Sequence, residues 1–283
     1  MMRSEGSFVG YGDDPVYFRY WQPDEKPKAV LLIVHGAGEH SGRYQYMATY
    51  FTDLGFAVAA LDHPGHGKSA GEYGHINSLN DLVETVSKFH DQLIRDFTDI
   101  PFFIIGHSMG GLVTSLYLLK RQHDFAGCVL SGPAIRSEIE PGFMQFLTIR
   151  FLSALAPRTK VLQLDARGVS RDPKVVAEYE ADPLVNHSKM SARMVYELFS
   201  GMERVQSQAP QISIPILIMH GEADLLTAPD GSRELYSAVT SKDKTLKMYP
   251  QLYHEIFNEP ERMDVLFDLK HWLDERLAKQ ASV

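Results

Sequence analysis

Short, continuous apolar runs punctuate this chain. Residues 29–34, 56–61, 102–105, 127–130 and 216–219 are apolar or glycine throughout, and 245–248 reads similarly. Runs of this length suit strands covered on both faces, as in a parallel sheet lying between helices. A shorter strand precedes them at 16–21, closed by a turn through Pro23 and Pro27. Between the runs, apolar residues recur every three or four positions. Leu79, Leu82, Val83, Val86, Phe89, Leu93, Ile94 and Phe97 share one helical face, and Ser78 with Asp81 marks that helix's start. Leu112, Val113, Leu116 and Tyr117 predict a second helix, and Leu266, Leu269, Trp272, Leu273 and Leu277 the last. Strand–helix alternation with short connections predicts an α/β fold with a mostly parallel central sheet flanked by helices.

One block breaks the alternation. Residues 135–208 hold no convincing buried strand, are helical in pattern, and carry Pro141, Pro157, Pro173 and Pro183. They predict a helical cap inserted after the fifth core strand, roofing the carboxyl ends of the strands where such sheets bind ligands. The expected division is a core of 1–134 and 209–283 and a cap of 135–208. Within the cap, Phe143 to Leu152 is apolar around most of a helix. Three roles suit it: packing between cap and core, lining an acyl tunnel, or touching a lipid surface.

Composition narrows the function. The 283 residues are 44% apolar and 23% charged, which excludes disorder and coiled coil. A net charge of −8 argues against a nucleic-acid partner and against electrostatic docking to anionic lipid. The lone Cys128 excludes an internal disulfide and a cysteine-built zinc site, and its apolar neighbours make it a structural thiol. Residues 1–10 contain no apolar segment of a signal peptide, and no apolar run approaches the roughly 20 residues that span a bilayer. The expected location is therefore cytoplasmic, and the sequon at Asn186 is read as chance.

The sharpest chemical signal is Gly106-His107-Ser108-Met109-Gly110, set between an apolar strand and a helix. That context is what a nucleophile elbow requires: a turn so tight that the residues two before and two after the serine must be nearly bare. It exposes the Ser108 hydroxyl and aims the Met109 N–H, at a helix N-terminus, at a developing oxyanion. A serine needs a base, and the base an orienting acid. Past the run at 216–219 comes His220-Gly221-Glu222-Ala223-Asp224. Past 245–248 comes Pro250-Gln251-Leu252-Tyr253-His254-Glu255. Asp224 is expected as acid and His254 as base, with Glu222 the rival acid, Asp230 a weaker one, and His220 a structural neighbour. His35-Gly36-Ala37-Gly38-Glu39-His40 follows an early strand, so the Ala37 N–H is the expected second oxyanion donor. Two other motifs fail. Gly67-Lys68-Ser69 lacks the first glycine of a phosphate loop, because position 62 is Asp62. His63, His66 and His75 lack a zinc-like ligand set and read as solvated or turn-stabilising. No metal or organic cofactor is called for.

Together these stretches resemble the monoglyceride lipase branch of the α/β-hydrolases over nearly the whole chain. The resemblance rests on His35-Gly36-Ala37-Gly38-Glu39-His40-Ser41-Gly42-Arg43-Tyr44, Asp62-His63-Pro64-Gly65-His66-Gly67-Lys68-Ser69 and Gly106-His107-Ser108-Met109-Gly110-Gly111, with Asp182-Pro183-Leu184 and Asp243-Lys244-Thr245-Leu246-Lys247. It implies hydrolysis of monoacylglycerols to fatty acid and glycerol under a cap over an acyl tunnel. It supports Ser108, Asp224 and His254 as triad and Ala37 and Met109 as oxyanion donors. It also implies a glycerol pocket at Glu39, Arg43, His107 and Tyr179, although a loop-stabilising salt bridge suits Glu39 and Arg43 equally well. The chain departs from mammalian members where they carry reactive cysteines, reading Asn186 and Thr227 instead. The expected partner is thus a small lipid ester, with transient lipid-interface contact through the cap. A lysophospholipase, a short-chain carboxylesterase or an amide-cleaving peptidase would use the same triad. A non-catalytic binding protein would have lost part of it.

Overall fold

The computed structural model describes residues 1–138 and 142–280; residues 139–141 of the expected cap and the last three lie outside the described residues. Strands β1 (Met2–Val9), β2 (Pro15–Gln22), β3 (Val30–Val34), β4 (Ala57–Leu61), β5 (Phe102–His107), β6 (Gly127–Ser131), β9 (Ile216–Gly221) and β10 (Lys244–Tyr249) form one eight-stranded sheet. Its order is β1-β2-β4-β3-β5-β6-β9-β10. The first two strands pair antiparallel, β2 runs antiparallel to β4, and every later pair is parallel.

The apolar runs are explained by two-sided burial. Along β3, Val30, Leu32 and Val34 join one core with helices α2 (Leu79–Asp96) and α3 (Met109–Arg121). Leu31 and Ile33 point the other way, against α1 (Gln45–Asp53) and α8 (Arg262–Gln280). Alternate residues of β4, β5, β6 and β9 divide in the same manner. Ser78 caps α2 by accepting the Asn80 N–H at 3.2 Å. Cys128 is fully buried among these side chains.

Three expectations need correction. The first strand is β1, not residues 16–21, which makes β6 the sixth strand in chain order. As a sheet edge with most side chains exposed, β1 has no apolar face to betray it. On α2, Ile94 sits at the rim of the apolar stripe and is 38% exposed. Between β6 and β9 lie α4 (Phe143–Leu155), β7 (Lys160–Leu162), α5 (Pro173–Ala181), β8 (Met190–Ser191) and α6 (Ala192–Gln208), so two very short strands interrupt the helices. Helix α7 (Pro229–Ala238) follows β9.

Helix α4 is not sandwiched. Met144, Phe151 and Leu155 are 71%, 63% and 69% exposed, and Leu147 is also exposed. Its inner face meets α6, where Phe146 lies edge-on to Phe199. Among the described residues, no helix is long and apolar enough to cross a membrane.

Candidate active site

The chain order around β3 reverses: β4 lies on one side and β5 on the other. The crevice beyond the carboxyl ends of the strands at such a switch point is where open α/β sheets bind ligands. The ends of β3, β5, β6, β9 and β10 meet there.

Ser108 occupies the turn from β5 into α3 with φ 53° and ψ −121°. That conformation costs a non-glycine residue roughly 1–3 kcal/mol and persists only when its surroundings enforce it. Here the Ser108 N–H donates to Ser131 O, while its carbonyl accepts from Gly111, Leu112 and Ala134. The flanking glycines are sterically required. A Cβ on Gly106 would lie 2.5 Å from Thr114 Oγ1, and one on Gly110 would lie 2.0 Å from Val34 O.

The opposite wall is the loop after β3. The His35 ring accepts the His63 N–H at Nε2, 2.8 Å away, so its Nδ1 donates to Gly36 O at 2.7 Å. Burial pushes His35 down to about 3, so the ring stays neutral in this brace. Glu39 Oε1 accepts the Gly36 N–H at 2.6 Å and the Tyr44 hydroxyl at 2.8 Å. A Cβ on Gly36 would come within 3.0 Å of Ser108 Cβ, so only glycine lets the loop approach the elbow. Among the described residues, neither the Ala37 nor the Met109 N–H has an intramolecular acceptor. Both residues line the cavity beside Ser108.

His254 and Asp224 come together at the ends of β10 and β9. His254 Nδ1 is 2.6 Å from Asp224 Oδ2. Asp224 Oδ1 accepts the N–H groups of Leu226 (2.7 Å) and Thr227 (3.0 Å). Despite burial, the charge of His254 and hydrogen bonds from both neighbouring imidazoles hold the Asp224 carboxyl far below its usual range. Burial presses His254 down, but the Asp224 carboxylate outweighs it, and the imidazole ends above its ordinary 6.5. Among the described residues, no hydrogen bond links Ser108 Oγ to His254, although both line one cavity. Nucleophile–base contacts are commonly loose before substrate tightens them. Gly132, at φ +48°, passes under the pair; a Cβ there would lie 3.2 Å from His254 Nδ1.

The rival acids are elsewhere. Glu222 pairs with Arg233 at the surface, and the Asp230 side chain is 74% exposed. His107 stacks its ring 4.6 Å from that of His254 and anchors Nδ1 on Ser131 O. Burial holds it neutral, with its pKa well below the ordinary value.

Arg43 lies between Glu255, with which it makes a short ion pair, and Glu39, 3.6 Å from its Nε. Its guanidinium lies 4.6 Å above the Tyr179 ring. Glu39 is therefore both a loop brace and part of the site. Burial beside Glu255 raises it to about 7. The cavity, about 830 Å³ including its mouth, is lined by Glu39, Tyr179 and Glu255, by Ser108 and His254, and by Leu162, Met190, Leu198, Phe199 and Met202. Among the described residues, none of α4 lines it, whereas Val195, Leu198, Phe199 and Met202 of α6 and Leu162 do.

Of the two roles expected for His63, His66 and His75, solvated or turn-stabilising, burial excludes the first, and His66 Nδ1 meets Pro64 O at 3.1 Å within its own turn. His63 and His66 pack on His35, and His75 Nδ1 meets Ser191 Oγ at 2.9 Å. Sequence reasoning missed Glu255, Tyr44 and Asn258 in the buried charge network, and Ser232 behind the acid. Tyr44 and Glu255 each adjoin a singled-out residue, Arg43 and His254, whereas Asn258 and Ser232 carry no signal in the sequence.

A family model described as serine aminopeptidase, S33 matches residues 25–261. Monoacylglycerol lipase of Mycolicibacterium smegmatis is 40% identical over 271 residues, covering 96% of this chain and 97% of that protein. Mouse monoglyceride lipase is 34% identical over 266 residues, covering 93% of this chain and 88% of that protein. The crystal structure of Paleococcus ferrophilus monoacylglycerol lipase superposes with a TM-score of 0.82 at 35% identity, over 92% of this chain and 99% of that one.

Proposed function

Because the chain belongs to the serine aminopeptidase S33 family of α/β-hydrolases, we propose that it is a serine hydrolase cleaving monoacylglycerols to fatty acid and glycerol. The observation that carries this is one cavity holding Ser108 and His254 together with an apolar wall, Leu162, Val195, Leu198, Phe199 and Met202, and a polar group, Glu39, His107, Tyr179 and Glu255. An acyl chain fits the first part and a glycerol the second.

The proposed roles follow from the distances. His254 accepts the Ser108 proton through Nε2 as Oγ attacks the ester carbonyl. The Ala37 and Met109 N–H groups take the oxyanion, each worth roughly 3 kcal/mol. His254 then protonates the departing glycerol oxygen. Water, activated in the same way, frees the fatty acid. Asp224 holds the imidazole with Nδ1 protonated and stabilises its charged form. Residues 1–134 and 209–283 act as core and 135–208 as cap. Glu39, Arg43, His107 and Tyr179 surround the glycerol.

Charge favours this substrate over its rivals. At the polar end the Arg43 cation is already balanced by Glu39 and Glu255, so a phosphate-bearing lysophospholipid would meet two carboxylates. A peptide amine would need a free carboxylate. Glu39 and Glu255 are engaged by Arg43, and Asp165 at the mouth is paired with Arg167. The exposed Met144, Leu147, Phe151 and Leu155 supply the face for transient lipid contact by a cytoplasmic protein.

The test compares kcat/KM on monooleoylglycerol, dioleoylglycerol, lysophosphatidylcholine and a short nitrophenyl ester, with Ser108→Ala as blank. Monooleoylglycerol should lead. A higher kcat/KM on the lysophospholipid would replace this reading.

A further inference from the structure

We propose that His220 is a positioning residue for this reaction: a second imidazole on the same oxygen of Asp224 that the base uses. It fixes that carboxylate and tempers its pull on His254. The proposal rests on Ser108, Asp224 and His254 acting as proposed above.

Hydrogen-bond chemistry forces the tautomer. His220 Nε2 lies 3.0 Å from Asp224 Oδ2 and 3.2 Å from the Thr227 carbonyl, and both are acceptors. Nε2 must therefore carry the proton. Nδ1, 2.7 Å from Ser232 Oγ, then accepts the serine proton. A directed chain results: Ser232 on α7 donates to His220, and His220 donates to Asp224. All three are buried.

The lone pairs of Asp224 are fully assigned. A carboxylate offers about four acceptor sites. Leu226 and Thr227 N–H groups fill Oδ1, while His254 and His220 fill Oδ2. The Thr227 hydroxyl divides its one proton between Oδ2, 2.9 Å away, and Gly132 O, 3.0 Å away, so it is a shared donor to Asp224 where His220 is a dedicated one. Without His220, Oδ2 would lose a fixed donor, the carboxylate could rotate, and its charge would fall more fully on His254.

The other charged and titratable groups facing His254 are Glu255 beside it, His107 from β5, and Glu39 and Arg43 from the loop and turn after β3. None touches Oδ2, so a change at His220 reaches the base through Asp224.

The test compares His220→Leu, His220→Gln and Ser232→Ala on monooleoylglycerol across pH, with Tm as the control for folding. Gln keeps a donor for Asp224 and an acceptor for Ser232. His220→Leu should lower kcat roughly 10–100-fold, as small misplacements do, with KM little changed. Its acid limb should move up by about half to one pH unit, a part of the roughly one to two units that a charge-assisted hydrogen bond is worth. His220→Gln should restore the limb and most of kcat. Ser232→Ala should shift the limb the same way by less. A folded His220→Leu with wild-type kcat and limb would overturn the proposal. So would equal losses in the Leu and Gln variants with an unmoved limb. Should the Leu variant fail to fold, an unmoved limb in Ser232→Ala overturns it. Ser108→Ala retaining activity would instead overturn the triad reading beneath it.

Discussion

Asp224→Asn tests the acid most sharply, because the surroundings dictate how the amide must sit. Two backbone N–H groups, from Leu226 and Thr227, point at Oδ1 at 2.7 and 3.0 Å. An asparagine must place its carbonyl oxygen there, since two backbone N–H groups can never accept, whereas the imidazoles of His254 and His220 at Oδ2 can do so by changing tautomer. The NH₂ then takes the Oδ2 position, 2.6 Å from His254 Nδ1. Nδ1 is obliged to accept, which moves the imidazole proton to Nε2, the nitrogen that must receive the serine proton. The fold survives, and the base is held in the wrong tautomer. A tautomer error of this kind costs on the order of 10⁴ in kcat, or about 5.5 kcal/mol of barrier. The assay is glycerol release from saturating monooleoylglycerol at about pH 8, above the imidazole's ordinary value of about 6.5. Unfolding is monitored in parallel. Glu222→Gln, which touches only Arg233, serves as the surface control. If Asp224→Asn kept more than a tenth of kcat while the control lost it, the acid would be misassigned and the geometric reasoning would fail.

Five further outcomes follow. His254 must be neutral to act, and its pKa is raised, so kcat/KM should climb with pH through an apparent value above 6.5 and fall away below it. Glu39→Gln removes one of the charges that raise it and should move that limb down; a pH profile with no movement would contradict the assignment. Gly132→Ala puts a Cβ 3.2 Å from His254 Nδ1 at φ +48°, and should cost roughly 1–3 kcal/mol in urea unfolding together with kcat; an unaffected variant would contradict the packing. Cys128 is the sole cysteine, fully buried, and burial pushes its thiol up, so N-ethylmaleimide should leave activity intact and label the chain only after unfolding. Phe199→Ala, on the acyl wall, should shift preference toward bulkier or longer chains, whereas a wall without substrate contact would lose only stability on thermal unfolding.

What could be read in advance divides along a physical line. Two-faced burial leaves a continuous apolar signature, so β3 to β6 and β9 were visible to within a residue or two. β1 was not, because an edge strand paired on one side can be built from Arg3, Ser4, Glu5 and Ser7. Helix α4 was visible as a helix, yet its placement was not. Apolarity all round suits a buried helix and a lipid-facing one equally, and only the exposure of Phe151 and Leu155 separates them.

The same line runs through the site. Ser108, Asp224 and His254 stand at strand ends in a fixed order, so sequence alone could nominate them. The groups that tune them are selected by three-dimensional proximity. Glu39 was read as a glycerol contact or half of a loop-stabilising salt bridge; it is buried and also grips the Gly36 N–H, which sequence does not signal. The Ala37 N–H, one residue on, has no internal acceptor among the described residues. A carboxylate pushed up to about 7 by burial thus braces the loop after β3 while its charge raises His254. Loop geometry and base strength are coupled through one side chain. A Glu39 variant should therefore disturb kcat and the acid limb together, whereas a His220 variant should disturb them through the carboxylate alone and leave the loop in place.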